Sequence, residues 1–298
     1  MTTILLAGAS GFIGAALERS LVADGHHVER LSRGNTGGVR WNPARGEVDA
    51  AALATLAPDI VINLAGEPIA QRWSEERKRA IYESRINGTR ALAAASAALP
   101  VKPRVFVGGS AIGYYGFERG DEPLTERSTS GADFLAKTAR DWEIAATPAS
   151  DAGIRVVALR TGIVCGRDGG VLARLLPPFQ AGVGGPLGDG QQWMSWISLT
   201  DTVRAIRFLI DTAGARGPFN LVAPEPVRNA EFAGTLGSVL HRPALVPTPR
   251  FALQLLFGEM AKQTILASQR AVPEKLTGAG FEFRHPRLKE ALAFELRR

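Results

Sequence analysis

Three glycines near the start of this 298-residue chain have the spacing that a phosphate-binding turn requires. Gly8, Gly11 and Gly14 occur in GASGFIG, after a short apolar run and before apolar residues at helical spacing. In such a turn one glycine permits the bend, one lets a pyrophosphate approach the backbone, and one lets helix and strand pack closely. Free N–H groups at the helix start then face the phosphates, which predicts a dinucleotide site. The predicted site also includes Ser10, Phe12 and Ile13.

The second apolar run ends in residues that favour a phosphorylated ribose. NAD-binding versions of this turn usually carry an acidic residue there, which accepts hydrogen bonds from the ribose hydroxyls. Here the run at 27–32 ends in Ser32 and is followed by Arg33, whereas Glu29 lies three residues earlier, in mid-strand. A hydroxyl and a guanidinium suit the 2′-phosphate of NADP. We therefore predict NADP(H) as the cofactor, the alternative being that Arg33 is a solvated surface side chain.

The elements that must position these residues alternate between strands and helices. Apolar runs predict strands at 3–7, 27–32, 59–65, 104–109 and 154–160. Helical spacing of apolar residues predicts helices at 12–24, 74–98 and 132–150. Strands that alternate with helices form parallel sheets covered on both faces. The predicted fold class is α/β, a Rossmann-type doubly wound parallel sheet with a smaller C-terminal substrate-side region.

The pattern changes after residue 165, where glycines and prolines become frequent. We divide the chain into an NADP-binding Rossmann domain at 1–165, a substrate-side region at 166–248 and a short helical C-terminal domain at 249–298. FNLVAP at 219–224 has the pattern of one more strand of the sheet, in which case the first two regions interleave. PRFALQLLFGEMAK, in the last region, is apolar enough to pack on the body or on a second subunit, as in a homodimer.

The composition excludes several classes of function. The net charge is +6, but Lys and Arg are interspersed with Asp and Glu, so no nucleic-acid partner is expected. Cys165 is the single cysteine, and the four histidines lack the spacing of metal ligands, so no metal site is expected. We expect a cytoplasmic protein with a small-molecule substrate and no membrane partner, because the sequence shows neither a signal peptide nor an apolar run of spanning length.

Longer motifs resemble those of extended short-chain dehydrogenase/reductases. The resemblance is to an atypical member of the epimerase-like branch that carries its own short C-terminal domain, the NAD-dependent epimerase/dehydratase-like family. The motifs are GASGFIG, NLAGEPI (63–69), RWSEERKRAIYESRINGT (72–89), GGSAIGYYG (108–116), DFLAKTARDWE (133–143), LRTGIVCGRDGG (159–170) and GDGQQWMSWISLTD (188–201). The resemblance implies that Leu64, Ala65 and Gly66 line the adenine and ribose side of the cofactor. It also implies that Arg85 approaches the cofactor and that the backbone near Ile163 borders the nicotinamide.

The chain departs from the family pattern at the catalytic tyrosine. Typical members use a Ser or Thr with Tyr-x-x-x-Lys, in which the tyrosine exchanges a proton with the substrate oxygen. Ser110 takes the serine position and Lys137 the lysine position, but Asp133 stands where the tyrosine is expected. Ser110, Asp133 and Lys137 are therefore the candidate catalytic residues.

Three interpretations of the missing tyrosine stay open. Asp133 replaces it as acid or base, which requires burial that favours the protonated carboxyl. Alternatively, Tyr114 or Tyr115 supplies the phenol from the GGSAIGYYG segment. In the third interpretation Asp133 only caps the helix that begins near Phe134, because aspartate is a favoured N-cap residue.

The expected substrate contacts also depart from the family pattern. Sugar-nucleotide epimerases often hold the substrate diphosphate with an arginine, and here that position carries Met194, between Trp193 and Trp196. Two tryptophans favour a flat or apolar small molecule, although they are equally typical of a core. Tyr114, Trp193 and Trp196 are the candidate substrate-binding residues, and Asp201 is the expected cap of the next helix.

Two functions follow from these patterns. The first is an NADP(H)-dependent oxidoreductase or epimerase-like enzyme that acts on an unidentified small molecule. The alternative is a catalytically weak or inactive NADP(H)-binding regulator that acts through a protein partner, since the expected tyrosine is absent. Turnover separates the two, because only the enzyme converts a substrate.

Overall fold

The computed structural model describes residues 1–34 and 38–297. Its strands are β1 (Thr3–Ala7), β2 (His27–Ser32), β3 (Val39–Asn42), β4 (Glu47–Val48), β5 (Ile60–Asn63), β6 (Val105–Ala111), β7 (Glu118–Leu124), β8 (Arg155–Thr161), β9 (Ile163–Gly166), β10 (Gly169–Gly170), β11 (Trp193–Met194), β12 (Trp196–Ser198), β13 (Gly217–Leu221), β14 (Val227–Arg228) and β15 (Ser268–Ala271). Its α-helices are α1 (Phe12–Ala23), α2 (Ala50–Leu56), α3 (Glu75–Ala97), α4 (Phe134–Ile144), α5 (Thr147–Asp151), α6 (Leu172–Gln180), α7 (Leu199–Asp211), α8 (Asn229–Leu240), α9 (Arg250–Phe257), α10 (Glu274–Gly278) and α11 (Leu288–Arg297). A 3-10 helix spans Ile112–Tyr115 and a π-helix spans Ala261–Ile265.

The central sheet has the order β13-β8-β6-β5-β1-β2-β3-β4. Its neighbouring strands are parallel except for the antiparallel pair β3–β4. The direction of strand order reverses between β1 and β5, which makes this the topological switch point where α/β sheets bind ligands. The predicted fold class, a Rossmann-type doubly wound sheet, is confirmed.

The inner strands are apolar on both faces because helices cover both sides of the sheet. In β1, Ile4 and Leu6 pack in one buried cluster, while Leu5 and Ala7 pack in another cluster on the opposite face. This alternation is the two-residue period of a strand. The central strands are thereby fixed in the core, and their carboxyl ends supply the groove described below.

Three features of the fold differ from the expectations. The hairpin β3–β4 extends the sheet beyond β2 although its short strands gave no clear pattern, and helix 132–150 is divided into α4 and α5. By contrast, the segment near 219–224 enters the sheet as β13, beside β8, in agreement with its strand pattern. The C-terminal region is not purely helical, because β15 pairs with β7 in a parallel two-stranded sheet.

Asp201 has a different role from the expected helix cap. Ser198 caps α7, since its hydroxyl accepts a hydrogen bond from the backbone N–H of Asp201 at 2.9 Å. The fully buried carboxylate of Asp201 accepts from the backbone N–H groups of Arg284 and His285 at 2.9 and 2.8 Å. It therefore holds the C-terminal segment against α7.

Candidate cofactor groove and catalytic corner

A cavity of about 740 Å³ lies at the switch point, along the carboxyl ends of β1, β2 and β5. Eight of the predicted cofactor-binding residues line it: Gly8, Ser10, Gly11, Ser32, Arg33, Leu64, Ala65 and Gly66. The cavity is large enough for a dinucleotide, since small-molecule sites typically measure about 300–1,000 Å³. The local motifs thus converge on one groove.

The glycine turn closes tightly between β1 and α1. Gly8 has a φ of +85°, and a Cβ there would lie 2.8 Å from the backbone carbon of Leu64. A Cβ on Gly14 would lie 2.0 Å from the Gly8 oxygen, so this glycine lets α1 pack on the turn. Gly11 precedes α1 with an ordinary φ of −78° and lines the groove. Its missing side chain leaves room for a ligand beside the helix start.

The far end of the groove is formed by the carboxyl end of β2 and the hairpin that follows. Ser32 and the exposed Arg33 line it, and the Ser32 hydroxyl accepts a hydrogen bond from the Gly34 N–H at 3.1 Å. Trp41 and Pro43, from the β3–β4 hairpin, line the same end. The groove therefore joins a guanidinium and a hydroxyl to an apolar wall, which suits a phosphorylated adenosine.

Buried hydrogen bonds hold the loop that follows β5. The Asn63 side chain accepts from the Ala65 N–H at 3.2 Å and donates to the Thr89 hydroxyl at 2.8 Å. That hydroxyl also accepts from the indole N–H of Trp142 at 2.8 Å. Thr89 is fully buried on α3, so it joins the cofactor loop to α4 through two side chains.

Arg85 supports this loop from behind. Its guanidinium donates to the carbonyl oxygens of Glu67 and Ile81 at 3.0 and 3.1 Å and lies 5.0 Å from the centre of the Trp142 ring. A Cβ on Gly66 would lie 2.9 Å from the Arg85 Cζ. Burial lowers the pKa of Arg85 to about 10, which still leaves it charged near neutral pH.

The catalytic corner begins at the end of β6. The Ser110 hydroxyl donates to Glu143 Oε1 at 2.7 Å, and Ser110 pairs with Arg160 across β6 and β8. Arg160 in turn donates to both Glu143 oxygens, at 2.8 and 2.9 Å. Burial disfavours the charge of Arg160, but the hydrogen bonds and the attraction of Glu143 outweigh it and raise the pKa of Arg160. This ion pair fixes the orientation of the serine.

The two neighbouring tyrosines have different environments. Tyr115 is fully buried, and its hydroxyl donates to Asn220 Oδ1 at 2.7 Å. Burial raises the pKa of Tyr115 to about 12, which makes it a poor proton donor near neutral pH. Tyr114 is half-buried, and the Arg160 Cζ lies 3.5 Å from the centre of its ring. Tyr114 is therefore fixed by stacking on Arg160, and its phenol forms none of the hydrogen bonds found among the described residues.

Asp133 occupies the N-cap of α4. One carboxylate oxygen accepts from the Ala136 N–H at 3.0 Å and the other from the Phe117 N–H at 3.1 Å. The side chain of Lys137, one turn further along α4, is exposed and makes no ion pair with Asp133 among residues 1–34 and 38–297. The geometry therefore favours the capping interpretation over the acid–base one.

Comparison with known proteins identifies the family. A model of the NAD dependent epimerase/dehydratase family matches residues 4–221, and a model of a domain of unknown function, DUF1731, matches residues 248–295. The chain belongs to the NAD dependent epimerase/dehydratase family. An epimerase family protein of Mycobacterium leprae is 43% identical over 98% of this chain and 94% of its own length. The chloroplastic SDR39U1 homolog of Arabidopsis thaliana is 40% identical over 97% of this chain and 85% of its own length.

A solved structure of this family has nearly the same fold. The crystal structure of human epimerase family protein SDR39U1 (isoform2) with NADPH has a TM-score of 0.90 and 33% sequence identity to this chain. The match spans 99% of this chain and 99% of the human chain. The family resemblance predicted from the motifs is thus confirmed.

Five residues predicted to bind the cofactor do not line the groove. Phe12 packs against the β9–β10 turn, where a Cβ on Gly169 would lie 2.3 Å from its ring. Ile13 packs on the core, and Gly14 contacts Gly8. Phe12 and Ile13 still offer backbone N–H groups, because the first turn of a helix leaves these groups without intrahelical partners. Arg85 lies behind the loop, as described above.

Of the residues predicted for the nicotinamide and substrate side, the structure contradicts Trp196. Ile163 lies in β9, where its N–H donates to the Ser195 oxygen at 2.9 Å. Trp196 is fully buried in the core, and its indole N–H donates to the Glu225 oxygen at 2.9 Å, so the prediction that it binds substrate is wrong. Trp193 is half-buried and donates to Asp121 Oδ1 at 2.7 Å.

Several residues of the site were not found from the sequence. Trp41 and Pro43 belong to a short hairpin without a motif, and only the fold brings them to the groove. Glu143 and Arg160 do lie in the motifs DFLAKTARDWE and LRTGIVCGRDGG, at positions beside apolar residues. Opposite charges in two such segments were the available signal, because a charge placed in a core needs a partner.

Proposed function

We propose that this protein is an NADP(H)-dependent oxidoreductase or epimerase-like enzyme that acts on a small molecule bearing a carbonyl or hydroxyl group. The observation that carries the proposal is the groove at the switch point, which ends in Ser32 and Arg33. The NADPH in human SDR39U1, a relative with the same fold, supports the same cofactor. The proposed compartment is the cytoplasm, where the buried, unpaired Cys165 stays reduced.

The residues present fit the cofactor. The helix start at Gly11 and the amides of Phe12 and Ile13 suit the pyrophosphate, because helix N-termini attract anions. Arg33 and Ser32 suit the 2′-phosphate, and Trp41 suits the adenine. When bound, the nicotinamide supplies or accepts a hydride.

The residues of the catalytic corner hold the substrate oxygen and its proton. Ser110 donates its own proton to Glu143, so its oxygen is free to accept a hydrogen bond from a substrate hydroxyl. Tyr114 is the proposed proton donor, since Asp133 is committed to backbone amides and Tyr115 to Asn220. Lys137, exposed on α4, is proposed to hold the ribose of the cofactor.

Two measurements test the proposal in sequence. Calorimetry with NADPH and NADH should give tighter binding of NADPH. Turnover is then followed over a library of carbonyl and hydroxyl compounds, as NADP(H) conversion for an oxidoreductase and as a change of substrate stereochemistry for an epimerase, which regenerates its cofactor. Turnover of at least one compound is expected. Binding of NADPH without turnover of any compound would support the regulator instead, and absence of binding would overturn both functions.

A further inference from the structure

Six large apolar side chains are exposed on three adjoining segments of the chain, and we name this set the apolar face. It consists of Val183, Leu245, Val246, Phe251, Leu255 and Leu256. Leu245, Phe251 and Leu255 are 83%, 72% and 74% exposed. Scattered exposed apolar residues need no explanation, but a cluster of this kind marks an interaction site.

The members of the apolar face come from neighbouring segments. The N–H of Val246 donates to the Gly184 oxygen at 3.2 Å, which places Leu245 and Val246 beside Val183. On α9, Leu253 and Phe257 pack inward in a cluster with Leu266. Phe251 and Leu255 are four residues apart and share the outer side of the same helix. Helix α9 is thus apolar on both sides although only one side is covered by the chain.

Four exposed arginines lie on these segments or on segments that contact or adjoin them. Arg72 donates to the Leu255 oxygen at 3.0 Å, Arg174 to the Ala70 oxygen at 2.9 Å, and Arg242 to the Gln180 oxygen at 3.2 Å. Arg250 directly precedes Phe251. In the part of the chain that the structure describes, the partners of these arginines are carbonyl oxygens, and none forms an ion pair with a carboxylate.

The acidic residues nearest to this cluster are few. The sequence has no Asp or Glu between Glu231 and Glu259. Glu259 binds Lys78 at 2.5 Å, and Glu75 binds the same lysine at 3.2 Å. On the segment that carries Val183, the exposed Asp189 accepts a hydrogen bond from the Gln191 N–H at 3.0 Å. Four arginines stand against this one carboxylate, so the charge around the apolar face is net positive and suits a partner that is both apolar and anionic.

We propose that the apolar face docks on the surface of an anionic lipid bilayer. A second copy of the chain is less suitable, because a two-fold contact brings the same uncompensated arginines together. A peptide helix usually enters a groove, whereas these side chains project into solvent. Projecting apolar side chains with a basic rim match a bilayer interface, where they enter the acyl boundary and the arginines meet lipid phosphates.

Docking of this kind needs no membrane-spanning segment. None of the helices in the described ranges is long and apolar enough to cross a membrane. The sequence expectation of no membrane partner depended on the length of apolar runs, whereas this face is assembled from three short segments. Ala70 and Arg72 belong to the loop after β5 that also lines the cofactor groove, so docking brings the groove entrance near the bilayer.

Vesicle flotation with the full chain tests the proposal. The protein should float with vesicles of phosphatidylcholine and phosphatidylglycerol, and much less with phosphatidylcholine alone. Added salt should weaken the binding, because exposed charges are screened. The double substitution Phe251→Ser with Leu255→Ser should reduce binding about tenfold or more, because two apolar side chains no longer enter the acyl boundary. Arg242→Gln with Arg250→Gln should reduce binding and its dependence on salt.

Matched controls separate docking from misfolding. Val22→Ser with Val101→Ser changes two exposed valines on other parts of the surface and should leave flotation unchanged. NADPH binding should persist in every variant. Equal flotation with both lipid mixtures, or unchanged flotation of the Phe251–Leu255 variant, would overturn the proposal. A concentration-dependent dimer lost in that variant, together with no flotation, would assign the face to a second copy instead.

Discussion

The cofactor groove and the catalytic corner lie on the same sheet but are built in different ways. The groove depends on backbone: Gly8 with its φ of +85°, Gly11 at the helix start, and a loop held by Asn63. The corner depends on side chains from four separate elements, which are β6, the 3-10 helix, α4 and β8. A local motif therefore identifies the groove, whereas the corner exists only after the fold has formed.

The largest effect is expected from a substitution that abolishes cofactor binding in the groove and leaves the catalytic corner intact. In Gly11→Val the backbone φ of −78° accepts valine, but its methyl groups fill the space beside the helix start. We expect NADPH binding to be lost with a melting temperature near that of the wild type, as measured by calorimetry and thermal denaturation. A Cβ at Gly234 meets open space, so Gly234→Val should keep NADPH binding. An unaltered affinity of Gly11→Val for NADPH would show that the glycine serves only to form the turn.

The next largest effect is expected from a substitution that impairs the catalytic corner and leaves cofactor binding in the groove unchanged. Tyr114→Phe removes the proposed proton donor, and kcat should fall by roughly 10²–10⁴ with NADPH affinity retained. The measurement is turnover of whichever compound the library identifies. Tyr115→Phe is the matched control, because this buried hydroxyl bonds Asn220 and should affect stability more than kcat. Similar losses of kcat in both variants would remove the distinction between the two tyrosines.

Tyr115, the control in the preceding prediction, should also make the free energy of unfolding depend on pH. The pKa of Tyr115 is raised by burial to about 12, above its ordinary value of 10. The folded state therefore favours the neutral phenol, and this stabilisation is complete below pH 10 and lost as the pH rises toward 12. Denaturant unfolding of the wild type should show a fall in free energy across that interval. The free energy of unfolding should fall less in Tyr115→Phe. An equal fall in the two proteins would show that other groups cause the pH dependence.

A smaller effect is expected inside the groove. Arg33→Ala removes a charge-assisted hydrogen bond to the 2′-phosphate, typically worth roughly 1.5–3 kcal/mol. NADP(H) affinity should fall by roughly ten- to 150-fold while NAD(H) affinity changes little, as measured by calorimetry. Arg19→Ala, an exposed arginine on α1, should leave both affinities unchanged. Equal losses for the two cofactors would contradict the preference for NADP(H).

The difference between a site built from a local motif and one built from separate elements also explains which parts of the molecule were predictable from the sequence. Strand and helix periodicity predicted the sheet. The groove was predicted from GASGFIG and from Ser32 with Arg33, because the residues within each of these two signals are close together in sequence. Glu143 and Arg160 are distant in sequence, and their pairing depends on how α4 packs on β8. Trp196 was misplaced for a related reason, since an indole is equally suited to a core and to a ligand site.

The smallest expected effect concerns Asp133, where sequence and structure suggest different roles. Its two oxygens accept from the N–H groups of Ala136 and Phe117, and asparagine keeps one acceptor oxygen and a good N-cap. Asp133→Asn should therefore lower the free energy of unfolding by only about 1 kcal/mol, the usual contribution of one hydrogen bond. Turnover should stay within about threefold of the wild type, well below the scale of a lost general acid or base. A loss of kcat of roughly 10² or more with NADPH affinity retained would instead assign the proton transfer to Asp133, and the catalytic corner would then extend to the start of α4.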